Sequence, residues 1–214
     1  MSHIEILFLR HAPKEGDTIT QIGLGLSYQY GKALEPKKTP TFFYASSKNR
    51  TLQTAKELSR GFSSAGGKVE NIEPFAVPQF AYDYREKEPL PTAFFKFSSE
   101  FAQAQKEQGE PKAFHLYKEG KLPNIPSAID TGRKLFDFML NLAKEKAQDN
   151  DLSRHVMVAH GGTVLDSIFY ALTGNELSGV GQKGELKPLE GFKVIVDKEK
   201  NIIEFRGERF SIKT

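Results

Sequence analysis

Two short apolar runs, each ending in a histidine, constrain this chain more than any other feature. Residues 4–9 (IEILFL) are nearly continuous in apolar side chains and stop at Arg10-His11-Ala12-Pro13. Residues 155–159 (HVMVA) do the same and stop at His160-Gly161-Gly162-Thr163. Apolar runs of this length without alternation are the pattern of strands buried on both faces, as in a parallel sheet.

The segments between them follow the same plan. Thr20 can cap a helix over residues 21–34, which Glu35-Pro36 ends. Residues 41–45 (TFFYA) read as a second strand and residues 51–60 as a helix, with Leu52, Ala55 and Leu58 at helical spacing. A weaker third strand is expected over 71–77. Ser127 or Asp130 starts a long helix to about residue 146, and another runs over 164–172. Residues 192–196 and 202–206 alternate around a polar turn and predict a C-terminal β-hairpin. Alternating strand and helix implies an α/β fold: a three-layer α/β/α sandwich with a mostly parallel sheet.

Residues 80–126 break this rhythm. Prolines fall at 89, 91, 111, 123 and 126 and, just before the segment, at 78, among many aromatic residues, and one helix is expected over 92–107. The segment reads as a helical cap inserted into a single domain spanning residues 1–214. It either carries substrate contacts or covers one end of the core.

The ends of parallel strands are where chemistry gathers. In an open α/β sheet, ligands bind outside the carboxyl ends of the strands. If the two apolar strands are parallel neighbours, His11 and His160 face one pocket. The strand over 41–45 ends on the same edge and feeds a loop bearing Arg50, so Arg10 and Arg50 converge there too. Such a point binds anions. Guanidinium groups hold phosphate through paired charge-assisted hydrogen bonds, and Gly161 and Gly162 let the backbone approach closely. A histidine in this field can attack phosphorus, provided that its other ring nitrogen is held as a donor. The second histidine, if protonated, neutralises the transferring oxygens.

Three runs carry a resemblance to a known family: Leu9-Arg10-His11-Ala12, residues 46–55 (SSKNRTLQTA) and Val158-Ala159-His160-Gly161-Gly162. In order and spacing they resemble the histidine phosphatase superfamily, also called phosphoglycerate mutase-like. Thr20-Gln21-Ile22-Gly23 is similar to that family's Thr-x-x-Gly. The resemblance implies that His11 becomes the phosphohistidine and that Arg10, Arg50, His160 and Gly161 complete the phosphate pocket. It also implies an acidic proton donor after the third strand. Tyr84-Arg85-Glu86 resembles that context, which makes Glu86 the first choice, Asp83 the second and Glu88 the third. Ala12 stands where the family usually has glycine, and Pro13 where it has a polar residue.

Composition narrows the alternatives. The 214 residues include no cysteine, so disulfides, thiolate metal sites and cysteine nucleophiles are excluded. A formal charge of +3 without a basic cluster gives no argument for a nucleic-acid partner. No apolar stretch approaches the roughly 18 residues needed to span a bilayer, and the N-terminus lacks the pattern of a signal peptide, so a cytoplasmic protein is expected. No histidine or acidic spacing suggests a metal site, and no cofactor is called for. The expected function is a phosphatase acting on a phosphomonoester or phosphoprotein. A phosphoglycerate mutase-type phosphotransferase is less favoured because the chain is short after His160. A non-catalytic phosphoryl-binding module is the third reading, and it would form no phosphohistidine.

Overall fold

The computed structural model describes residues 3–35, 38–80, 99–123, 126–147, 152–161, 164–182, 184–197 and 201–212. Strand β1 (His3–Arg10) is followed by a small antiparallel hairpin, β2 (Lys14–Glu15) and β3 (Thr18–Ile19), then helix α1 (Gln21–Ala33). Next come β4 (Thr41–Ala45), α2 (Asn49–Ser64) and the two-residue β5 (Phe75–Ala76). Helices α3 (Ser99–Gln108), α4 (Glu110–Lys118) and α5 (Ala128–Lys146) precede β6 (Leu152–Ala159) and α6 (Leu165–Thr173). Strands β7 (Gly191–Val196), β8 (Asn201–Phe205) and β9 (Glu208–Ser211) close the chain.

One seven-stranded sheet has the order β5-β4-β6-β1-β7-β8-β9. The pairs β5/β4, β4/β6 and β6/β1 are parallel, whereas β1/β7, β7/β8 and β8/β9 are antiparallel. The expected parallel sheet is therefore its site-bearing half. The expected C-terminal hairpin, β7/β8, extends the other half, and β9 adds a strand that the sequence reading did not separate.

Burial explains the layers. The side chains of β1, β4 and β6 alternate between two apolar clusters. Leu9, Phe43, Ala45, Val156 and Val158 pack with Ala55, Leu58 and Phe62 of α2. On the opposite face, Ile4, Ile6, Phe8, Tyr44 and Met157 pack with Leu135, Phe136 and Met139 of α5 and Ile168 and Phe169 of α6. Both faces of the strands are covered, which is why their sequence reads as continuous apolar runs. Thr20 accepts from the Gly23 backbone N–H at 3.0 Å and so starts α1, and Ser127 accepts from Asp130 N at 3.1 Å to start α5.

The third strand is shorter than expected. The Asn71 side chain accepts from Phe43 N and donates to Phe43 O, both at 2.8 Å, and so replaces strand pairing where 71–77 would begin. In the 80–126 segment, residues 92–98 of the expected helix lie outside the described residues; α3 (Ser99–Gln108) matches the rest of it, and a further helix, α4, follows. Phe101, Ala104, Ala113, Tyr117 and Leu122 form a satellite core with Ala128, and the Tyr117 hydroxyl lies 3.2 Å from Ser167 Oγ of α6. Phe101 is thus core. Lys106, Lys112 and Lys121 are exposed, whereas Lys118 pairs with Glu176 at 3.4 Å.

Candidate active site

Register puts the two histidines side by side. Arg10 pairs with Ala159 at the ends of β1 and β6, so His11 and His160 are the next residues on neighbouring parallel strands. The His11 N–H donates to Ala159 O at 3.1 Å, which carries the pairing one step past the sheet. The imidazole centroids are 5.6 Å apart with planes at 65°. β4 ends one strand away at Ala45, and the loop from it delivers Ser46 and, in the first turn of α2, Arg50.

Each ring has a fixed tautomer. His11 Nδ1 lies 2.8 Å from its acceptor, the Ala12 carbonyl oxygen, so Nδ1 carries the proton and Nε2 keeps its lone pair. The polypeptide itself supplies the second-nitrogen anchor that nucleophilic attack requires. Arg50 Nη2 can only donate, so His160 Nδ1, 3.4 Å away, accepts. His160 Nε2 then donates to Ser46 Oγ at 3.0 Å. Ser46 Oγ is 2.8 Å from Thr51 Oγ1, and the single Thr51 hydroxyl proton has the Lys48 carbonyl at 2.7 Å and the Ser46 carbonyl at 2.9 Å as acceptors. The relay ends on backbone oxygens, and the Arg50 donor at its other end sets the His160 tautomer.

Burial and charge keep both rings neutral. Burial, followed by the Arg50, Arg10 and Lys14 charges, lowers the His11 pKa to about 4, against an opposing contribution from its bond to Ala12. Burial, then Arg50, His11, Lys48 and Lys14, holds His160 well below the ordinary histidine value. The condition set for His160, that it be protonated, is opposed by its burial and by the neighbouring cations. Neutral His160 accepts from Arg50 instead.

The arginines occupy different sides. Arg10 Nη1 donates to the Leu186 carbonyl, and a side chain on Gly161 would bring a Cβ within 3.2 Å of Arg10 Cδ. Gly161 thus makes room for an arginine. Arg50 is buried, with Nη1 2.5 Å from Asp17 Oδ1, while its Nε is buried without a partner among the described residues. Ala12 is fully buried and does not have the positive φ that would require glycine. Its N–H donates to Thr54 Oγ1 at 3.1 Å. Glu86, Asp83 and Glu88, like Gly162, lie outside the described residues. One further carboxyl is unusual: Asp166, in the first turn of α6, has its pKa raised to about 7, chiefly by burial.

Ser46, Thr51, Lys48 and Asp17 escaped the sequence reading. Ser46, Lys48 and Thr51 lie inside the run quoted for its resemblance, and a buried strand running into a polar turn was the signal available for them. Among the described residues, no cluster of three or more acidic or histidine side chains could hold a metal ion, and no helix is long and apolar enough to cross a membrane.

No protein-family model matches the sequence, and neither does any curated protein. Solved structures do match. The chain is similar to a phosphoglycerate mutase from Bacillus anthracis, with a TM-score of 0.61, 12% identity and coverage of 97% of this chain and 94% of that one. It is similar to a phosphoserine phosphatase from Entamoeba histolytica, solved with 3-phosphoglyceric acid, at TM-score 0.61, 16% identity and 97% coverage of both chains. A mycobacterial glucosyl-3-phosphoglycerate phosphatase in complex with inorganic phosphate matches at TM-score 0.54 and 18% identity, over 89% of this chain and 88% of that one. The fold of this chain is that of the phosphoglycerate mutase-like histidine phosphatases.

Proposed function

We propose that the protein is a phosphatase that hydrolyses a phosphorylated small molecule or phosphoprotein through a phosphohistidine on His11. The observation that carries this is the His11 ring itself: Nδ1 is tied to the Ala12 carbonyl at 2.8 Å, and the lone pair is left on Nε2. The pKa of about 4 keeps that lone pair available across neutral and mildly acidic pH.

In the first step Nε2 attacks phosphorus, the P–N bond forms, and the bond to the leaving oxygen breaks. That oxygen takes a proton from a carboxylic acid, a role assigned to Glu86, with Asp83 as second choice, on the resemblance of Tyr84-Arg85-Glu86. In the second step the carboxylate takes a proton from water, whose oxygen attacks phosphorus and releases inorganic phosphate and free His11. Arg10 and Arg50 carry the charge of the transferring oxygens, and Gly161 belongs to the same pocket. The reaction calls for no cofactor, metal, membrane or nucleic acid, and the expected compartment is the cytoplasm.

The test is turnover of p-nitrophenyl phosphate in the acid to neutral range, wild type beside His11→Ala, with a basic quench to preserve phosphohistidine. Turnover and covalent label in wild type only are expected. Retained turnover in a folded His11→Ala protein would refute the mechanism. Label that passes to a phosphorylated acceptor rather than to water would identify a mutase. Phosphate binding without label would identify a binding module.

A further inference from the structure

Arg50 is held from outside the phosphate pocket by a carboxylate. Asp17 sits at the turn of the β2–β3 hairpin, beside Gly16 at φ +56°. Its Oδ1 is 2.5 Å from Arg50 Nη1, and its Oδ2 accepts from the Asn49 backbone N–H, the first residue of α2, at 3.3 Å. The Asp17 side chain is 51% exposed and that of Arg50 11%, so the pair spans the pocket wall from solvent to interior. The hairpin also carries Lys14, whose ammonium folds back onto Gly16 O at 3.1 Å.

A guanidinium offers two kinds of edge. Nε and Nη2 form a parallel pair of donors that matches two oxygens of a phosphoryl group, while Nη1 lies on the other side. Here Asp17 takes Nη1. Nη2 is turned to His160 Nδ1, and Nε is buried with no partner among the described residues. A buried, unsatisfied donor on a charged group is costly unless something accepts from it. The Nη2 contact places that edge beside His160, and an oxyanion arriving there would accept from Nε. We propose that Asp17 is a positioning residue: it anchors Nη1 so that the Nε/Nη2 edge of Arg50 faces the phosphoryl group on its way to His11. This role rests on the phosphoryl-transfer reading above.

Positioning and simple charge predict opposite signs. A carboxylate that merely competed with the substrate for Arg50 would weaken anion binding, and its removal would strengthen it. A carboxylate that orients the fork helps most where geometry is most exacting, in the trigonal-bipyramidal transition state.

Orthovanadate, a mimic of that state, and p-nitrophenyl phosphate turnover read the difference in Asp17→Ala, Asp17→Asn and Arg50→Lys proteins. Asp17→Ala is expected to weaken vanadate inhibition about tenfold and to lower kcat by a similar factor, with KM changed less than about twofold. Asp17→Asn keeps an oxygen for Nη1 and is expected to lose less. In the Arg50→Lys background, Asp17→Ala should change nothing further, because an ammonium has no fork to orient. Tighter vanadate inhibition in Asp17→Ala would overturn the proposal in favour of competition. An equal loss with and without the Arg50→Lys substitution would overturn it by making Asp17 only a clasp between the hairpin and α2. Wild-type turnover with an unaltered Asp17→Ala protein refutes this role alone. A wild type that neither binds vanadate nor turns over refutes the functional reading and this role with it.

Discussion

Acidification should destabilise this protein in part through a histidine outside the candidate site. His155 is fully buried in β6, with Nδ1 3.1 Å from the Tyr44 hydroxyl, Nε2 3.0 Å from Ser153 Oγ, and its ring stacked on Phe42 at 5.1 Å. Burial alone lowers its pKa from 6.5 to about 4. An unfolded chain therefore takes up this proton before the native one does. Stability is complete above pH 6.5 and is lost as pH falls toward 4. The shift corresponds to about 3 kcal/mol when fully expressed, of which about 2 kcal/mol is lost by pH 5. Urea unfolding at pH 7 and pH 5, wild type beside His155→Gln, measures the loss in each protein. His11 and His160 titrate in both, so the difference between the two losses isolates His155. Wild type should lose about 2 kcal/mol more than the variant. Equal losses would show that the His155 proton is not excluded by burial, and the argument would fail.

Two further outcomes follow from packing and from the relay. Helices α1 and α2 meet so closely that a Cβ on Gly61 would collide with the Tyr28 carbonyl oxygen. Gly61→Ala should destabilise the protein by about 1–3 kcal/mol in urea unfolding despite alanine's better helix propensity, and an unchanged or raised midpoint would contradict that contact. Ser46→Ala removes the acceptor for His160 Nε2–H and frees the ring to change tautomer. A kcat loss of about tenfold is expected with His11 still labelled, and full activity would show that the relay does not set His160.

The parts of the fold that could be read from the chain are those where one local property decides the outcome. β1 and β6 are continuous apolar runs because both faces are covered, and that leaves its mark residue by residue. The paired caps Thr20 and Ser127 likewise act within three residues. α4 was missed because Pro111 reads as a breaker, yet it sits in the first turn of that helix, where proline's absent N–H has no intrahelical partner to lose. β5 shrank because Asn71 satisfies the Phe43 backbone through its side chain, a contact between residues 28 apart that no local pattern encodes. The Asp17–Arg50 pair is of the same kind: the polar stretch 14–18 looks like any loop until the hairpin lands on α2.

The site is the meeting of those two kinds of information. Strand register is specified locally, since a one-residue slip of β1 against β6 would turn Ile6 and Phe8 out of one core and Leu9 out of the other. That same register makes His11 and His160 neighbours, so the pairing of the two histidines is protected by the whole apolar core. The ring orientations enjoy no such protection. They rest on single hydrogen bonds to Ala12, Ser46 and Arg50, and Arg50 depends in turn on Asp17. Substitutions in the core should therefore cost stability before chemistry, whereas changes at Ser46 or Asp17 should cost chemistry in a protein that remains folded.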